Sequence, residues 1–328
     1  MKTARTFGIL IAVILGARTL LAQSPDCLHR TVTVNVLDSR KQIVTGIRPE
    51  DLSGSFRHKP VKIDFVAPVT SPPRVFIVLD ASSSMTALRP VWNSYIEASN
   101  RLVDSVPAGT LVGLIVFATK IDKTIPLGNG TAEVKEELEK LRVGNESFLK
   151  GRRTTALWDA LNDAISQMDP AREGDAIYVL TDGVDTASKI STKTVKEAFL
   201  ATGIRLFVYS VDNSAEPLPE LDLRYLDFQE LAPLSGGFAV SVPSIAPYVP
   251  KPLSDKSGKR TDAGEMLLAQ LRQIFYYQRV EIVLPEPPDK PEKWSLNAKG
   301  SKFHDPVVVY PRMLDTCTQP KTVVSAAH

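Results

Sequence analysis

Histidine is scarce in this sequence, and its placement excludes more than its number does. His29, His58, His304 and His328 are the four in 328 residues, and none falls between Arg74 and Gln278. A nucleophilic serine in that central stretch would therefore lack its usual base. No Gly-x-Ser-x-Gly elbow is present either. No glycine-rich phosphate loop follows the first apolar run, which argues against a nucleotide site. Gly236-Gly237 precedes a strand-like segment and reads as a turn. A basic excess is also missing: 39 Lys and Arg face 37 Asp and Glu, a formal charge of +2. Without the first 22 residues the count is 36 against 37, so the mature chain does not look like a nucleic-acid binder.

Long apolar runs are missing too. Phe7 to Ala17 is the one candidate, and it is too short to span a bilayer and is followed by Arg18. With Lys2 and Arg5 before it and Leu20-Leu21-Ala22 after it, residues 1–22 read as a secretory signal peptide cleaved before Gln23. A retained anchor is the competing reading. Lipidation of Cys27 is disfavoured, because Ser24-Pro25-Asp26 is a poor lipidation context. Cys27 and Cys317 are the only cysteines, one near each end. Export places them where disulfides persist, so a Cys27–Cys317 bond is expected, against two buried thiols.

What the chain does contain is ordinary globular material, 43% hydrophobic and 23% charged. Thr31–Val36 and Val61–Val66 alternate as half-buried strands. Pro68–Pro73 is a linker by its three prolines. Val75–Leu79 and Val112–Phe117 are continuous apolar runs, as expected of strands buried on both faces. Ile177–Leu180, Leu206–Val211 and Phe238–Val242 continue the series, the last as an edge strand. Helical spacing marks Val91–Val106, Val134–Leu141, Leu157–Met168, Thr194–Leu200 and a final helix over Gly264–Gln278. The alternation predicts an α/β fold with a Rossmann-like, doubly wound, mainly parallel sheet. Val280–Leu284 and Val307–Tyr310 are strands expected to pack with the N-terminal ones as a small β-rich module, since neither group is stable alone. The division is then a signal peptide (1–22), an N-terminal β-rich segment (23–70), the α/β domain (71–279) and a C-terminal β-rich segment and tail (280–328).

Chemistry gathers at the carboxyl ends of strands, where open α/β sheets bind ligands. Asp80-Ala81-Ser82-Ser83-Ser84 follows the first buried strand. Thr155 precedes the helix from Ala156, and Thr181-Asp182-Gly183 follows another strand. Hydroxyls and carboxylates are hard oxygen ligands suited to Mg²⁺, Mn²⁺ or Ca²⁺, and the lack of Cys and His argues against zinc or copper. Each fragment alone could be an N-cap or a turn. All three together at strand ends are hard to explain that way.

Asp80-x-Ser82-x-Ser84, Thr155 in Thr-Ala-Leu-Trp-Asp-Ala, and Thr181-Asp182-Gly183 resemble the metal-ion-dependent adhesion site (MIDAS) of von Willebrand factor type A (VWA) domains, over Arg74–Gln278. The resemblance implies direct ligation by Ser82, Ser84 and Thr155, with Asp80 and Asp182 as direct or water-bridged supports. It also implies a divalent cation, Mg²⁺ first, that accepts an Asp or Glu of a protein partner, and no enzymatic activity. Ser83 departs from the glycine of many members. The flanks, with Val44-Thr45-Gly46 and Pro49-Glu50-Asp51, more loosely resemble exported VWFA-related proteins described mainly in Acidobacteria. Two other readings compete: a metal-independent scaffold in a cell-envelope assembly, and a serine hydrolase, which the missing base disfavours.

Overall fold

The computed structural model describes residues 27–316 except 88, 129, 145–152, 213–227, 229, 244–252, 255–259, 262, 301–302 and 304. Two six-stranded sheets dominate it. The signal-like segment and Cys317 lie outside the described residues, and so does the Cys27–Cys317 pairing expected of them.

In chain order the first strands are β1 (His29–Leu37), β2 (Leu52–Phe56) and β3 (Lys59–Pro68). The α/β domain begins with β4 (Arg74–Asp80), α1 (Ser83–Thr86), α2 (Arg89–Ser105), β5 (Leu111–Phe117) and β6 (Ile121–Gly128). It continues with α3 (Ala132–Val143), α4 (Leu157–Gln167), β7 (Ala176–Leu180), α5 (Thr192–Thr202), β8 (Arg205–Asp212) and β9 (Phe238–Pro243). A two-residue ladder joins β10 (Leu253–Ser254) to β11 (Arg260–Thr261), and α6 (Ala263–Phe275) follows. The chain then returns through β12 (Gln278–Val283), β13 (Glu292–Lys293), β14 (Ser295–Ala298), β15 (Val307–Val309) and β16 (Met313–Leu314).

β4 is the spine of the first sheet. All seven of its residues are buried, and it pairs in parallel with β5 on one side and β7 on the other. Successive side chains of a strand face opposite ways. Val75, Ile77 and Leu79 therefore enter a core with Trp92, Tyr95 and Leu102 of α2 and Leu271 and Ile274 of α6. Phe76 and Val78 enter another, with Leu157, Leu161 and Ile165 of α4 and Val195 and Phe199 of α5. Burial on both faces is why the run has no polar alternation. The strand order is β6-β5-β4-β7-β8-β9, all parallel except β6, with β9 at one edge as expected. Strand order reverses beside β4, which opens a crevice at the carboxyl ends of β4 and β7.

The second sheet is antiparallel, in the order β14-β2-β3-β12-β1-β15, and it joins segments from before and after the α/β domain. Val32, Val34, Val36, Val280, Ile282, Phe56, Trp294 and Tyr310 form its core. No helix among the described residues is long and apolar enough to cross a membrane.

The final helix ends at Phe275 rather than reaching Gln278. Arg205 explains the stop. Its buried guanidinium donates to the carbonyls of Gln273 (2.9 Å) and Ile274 (2.8 Å) and stacks 4.2 Å from the Tyr277 ring centroid. Cationic donors suit the last carbonyls of a helix. Burial draws the Arg205 pKa down to about 10. Gln278 already pairs with Val34 and Pro68 in the second sheet.

Gly236-Gly237 is a turn, as its sequence suggests. Gly236 has φ +85°, and a Cβ on Gly237 would sit 1.7 Å from the Leu206 carbonyl oxygen. Backbone at that distance cannot step aside as a flexible side chain can. Gly237→Ala is expected to destabilise the fold by about 3 kcal/mol or more, the upper range for overpacking. Urea unfolding measures this, and a loss below about 1 kcal/mol would contradict the close approach.

Candidate metal centre

Asp80 closes β4 at the mouth of the crevice, and its residue is 0% exposed. The chain leaves it through Ser82, whose extended conformation (φ −64°, ψ 168°) turns its amide back to donate to Asp80 Oδ1 at 2.8 Å. The other carboxylate oxygen, Oδ2, accepts from the Thr181 hydroxyl at 2.7 Å. Ser82 sits at the N-cap position of α1, yet its side chain makes no capping bond. Its Oγ lies instead 3.1 Å from Ser84 Oγ. The simple capping explanation for Ser82 thus fails. Ser82 is buried, whereas Ser84 is exposed at the rim.

Asp182 follows β7 on the neighbouring strand end and is half-buried. Its Oδ1 accepts the Val184 amide at 3.1 Å. Gly183 takes φ +83°, a left-handed conformation that a Cβ disfavours, and donates its amide to Thr181 Oγ1 at 3.1 Å. Thr155 precedes α4 and is buried. Its amide donates to Thr186 Oγ1 at 3.0 Å, and its carbonyl accepts the amides of Thr186 and Ala187, each at 2.9 Å.

The three loops are pinned to one another. Ser83 N donates to the Arg153 carbonyl at 3.2 Å, and Arg153 N donates to Ser83 Oγ at 2.5 Å. The Ala118 carbonyl, just past β5, accepts Ala156 N at 2.7 Å. The Arg153 guanidinium is held by Asp122. Asp80, Ser82 and Ser84 therefore lie together, Asp182 is near enough for its charge to act on Asp80, and the Thr155 loop is tied to theirs through Ser83–Arg153 and Thr186.

Charge is the unresolved quantity here. Burial pushes the Asp80 carboxyl up from 3.8 to about 7, and the charge of nearby Asp182 pushes the same way. Its hydrogen bonds among the described residues come from neutral groups, Ser82 and Thr181. A buried carboxylate facing a second one is costly unless a cation joins them. The donors are all oxygens, and no group of three or more His, Cys, Asp and Glu that could hold a metal ion lies among the described residues. The set fits a hard divalent cation rather than zinc or copper. When bound, such an ion supplies a Lewis-acidic centre, while Thr181 and the Ser82 amide keep Asp80 oriented.

Sequence reasoning placed Thr181 and Ser83 in the motif without their supporting roles, and it missed the residues around Thr155. Thr181 orients Asp80, Ser83 ties the first loop to Arg153, and Asp185, Thr186 and Ser188 hold the segment around Thr155. The cluster Asp182-Gly-Val-Asp-Thr-Ala-Ser188 was a visible signal of dense turn-type hydrogen bonding. Its partners could not be read from spacing.

With this geometry in place, the comparisons with known proteins can be set beside it. Residues 75–221 match the family model described as the von Willebrand factor type A domain. The matched segment lies in the mixed, mostly parallel sheet flanked by helices, which is joined to an antiparallel sheet from the flanking segments. VWA domains are generally non-enzymatic interaction modules and commonly bind a divalent cation at the MIDAS. Among solved structures, BatB from Bacteroides thetaiotaomicron is 22% identical, with 61% of this chain and 96% of that chain covered and a TM-score of 0.43. An aerotolerance-related membrane protein from Bacteroides fragilis is 22% identical, with coverage of 62% and 98% and a TM-score of 0.44. A von Willebrand factor type A protein from Catenulispora acidiphila is 11% identical, with coverage of 89% and 74% and a TM-score of 0.45. No curated protein matches the chain.

Two predictions follow from the electrostatics. Asp80 has a folded pKa above its unfolded value, so in EDTA its ionisation weakens the fold as pH rises from 3.8 towards about 7. Asp80→Asn is therefore expected to be more stable than the wild type in EDTA at pH 8, by about 1–2 kcal/mol at ~1.4 kcal/mol per pKa unit, discounted for relaxation. The gap should narrow below pH 7 and close towards pH 4, as paired urea melts would show. Thr181→Val keeps the shape but removes the donor to Asp80, and is expected to cost about 1–3 kcal/mol in the same melts.

Proposed function

We propose that this protein is an exported, non-enzymatic binding module that holds a divalent cation through Asp80, Ser82, Ser84, Thr155 and Asp182 and uses it to grip an acidic residue of a protein partner. Mg²⁺ is the first candidate, with Mn²⁺ and Ca²⁺ the other hard cations the donors would accept. The observation that carries the reading is Asp80: a fully buried carboxylate, next to Asp182, hydrogen-bonded only by neutral groups among the described residues.

The residues divide the work. Three hydroxyls contribute no charge, so two carboxylates leave a divalent ion able to attract a third from outside. Ser84, at the exposed rim, marks the side from which a partner would approach. A carboxylate is the matching ligand, since it is both hard and anionic. A hydrolytic reading finds no support, because His29 and His58, the described histidines, sit on the β-rich sheet and its turn. Export rests on residues 1–22, read as a signal peptide removed before the chain folds. In keeping with export, we propose that Cys27 and Cys317 are joined. Arg30 Nη2 lies 3.5 Å from the Asp315 carbonyl oxygen, which brings the chain on either side of that pair together.

Thermal melts of the mature protein in EDTA, Mg²⁺, Mn²⁺ and Ca²⁺, run beside Asp80→Ala, test the site. An ion that binds only the folded state adds about 2.7 kcal/mol at a hundredfold excess over its Kd. For a domain of this size that is a rise on the order of 5–10 °C. The rise is expected in the wild type and lost in Asp80→Ala. Equal shifts in both proteins would put the ion elsewhere. No shift with any ion would favour a metal-independent scaffold in an envelope assembly.

A further inference from the structure

We infer that Asp185 is a positioning residue for the metal centre, holding Thr155 in place from the loop that carries Asp182; the inference rests on the metal-binding reading above. The argument begins with a missing cap. Helix α4 starts immediately after Thr155, and its N-cap residue, Ala156, makes no side-chain capping bond. The first amides of any helix need acceptors.

The acceptors come from a different strand end. Asp185 Oδ1 accepts the Leu157 amide at 2.8 Å. It also accepts the Ser188 hydroxyl at 2.5 Å. With its proton committed to Asp185, Ser188 Oγ turns its lone pairs to the amides of Trp158 at 2.9 Å and Asp159 at 3.2 Å. Asp159 answers by accepting the amides of Lys189 at 3.0 Å and Ile190 at 2.9 Å. Thr186 completes the clamp on the Thr155 backbone.

The consequence is geometric. Thr155 is the only one of the five ligands carried by the loop ahead of α4, and that loop is fastened from Asp182's side. Two ligands on separate loops thus move as one unit. Asp185 directs the unit because it sets the Ser188 hydroxyl as well as its own cap. Removing a group that orients ligands from behind typically weakens metal binding ~10–100-fold.

The test measures Mn²⁺ affinity by electron paramagnetic resonance, with protein folded and well below every melting temperature, alongside melts in EDTA. The proteins are wild type, Asp185→Ala, Asp185→Asn and Ser191→Ala. Ser191 caps α5 by accepting the Thr194 amide at 3.2 Å, so its variant loses a cap on a different helix from the one that follows Thr155. Asp185→Ala is expected to bind Mn²⁺ about tenfold more weakly. Asp185→Asn, which can still accept from Leu157, is expected to recover most of that loss. Ser191→Ala is expected to melt earlier in EDTA yet bind like the wild type. Wild-type affinity in Asp185→Ala would overturn the inference while leaving the metal site standing. An equal loss in Ser191→Ala would overturn it too, by showing that any lost cap suffices. No binding by the wild type would overturn both this inference and the metal reading.

Discussion

The structure depends on one buried charge. Asp80 ends β4, a strand buried along its whole length, with low-dielectric core on either side and Asp182 close by. A carboxylate there cannot be supported by packing. Neutral donors, the Ser82 amide and the Thr181 hydroxyl, fix its direction without cancelling its charge. Every nearby feature follows from keeping that group oriented: the turn back through Ser82, the left-handed Gly183 and the loops stitched across the strand ends. The cation in our proposal is the missing partner of this charge.

The opposite end of the same sheet handles charge differently. There Arg74, at the start of β4, meets Asp175, just before β7, with the guanidinium also donating to the carbonyls of Met168 and Pro170. That pair is complete within the chain, as buried ions must be. The contrast gives the sheet a direction, with a self-contained anchor at one end and an open electrostatic demand at the other. Nearby, Arg205 ends α6, and only two residues separate that helix from β12, a central strand of the second sheet. The α/β domain and the second sheet are thus joined through a short backbone link that a buried cation holds.

Much of this was legible in the sequence because burial on both faces leaves a plain mark. Val75–Leu79 and Val112–Phe117 could be little else than central strands, and the α/β class followed. Edge strands leave no such mark. β6, Ile121–Gly128, contains Lys123 and Pro126 and buries only Ile125, so its antiparallel pairing went unread. β2 is paired on both sides and escapes notice for another reason: it contains Ser53, Gly54 and Ser55, a turn-like composition. Its Gly54 is set by packing, since a Cβ there would meet the Ser295 carbonyl oxygen at 3.1 Å and Trp294 at 3.4 Å. At the candidate site, the motif residues were legible from their adjacency to strand ends. The residues that hold them were not, because Asp185 and Ser188 look like ordinary turn residues until the fold brings α4 beside them. The end of α6 was misjudged by three residues for the same reason: the Arg205 that stops it lies far away in sequence.

The most direct test of the central claim is anomalous diffraction from crystals of the mature protein grown with Mn²⁺. The account predicts a manganese peak at the carboxyl ends of β4 and β7, within coordination distance of oxygens from Ser82, Ser84 and Thr155 and supported by Asp80 and Asp182. A crystal with manganese elsewhere, or with none and an empty pocket beside Asp80 at millimolar Mn²⁺, would contradict it.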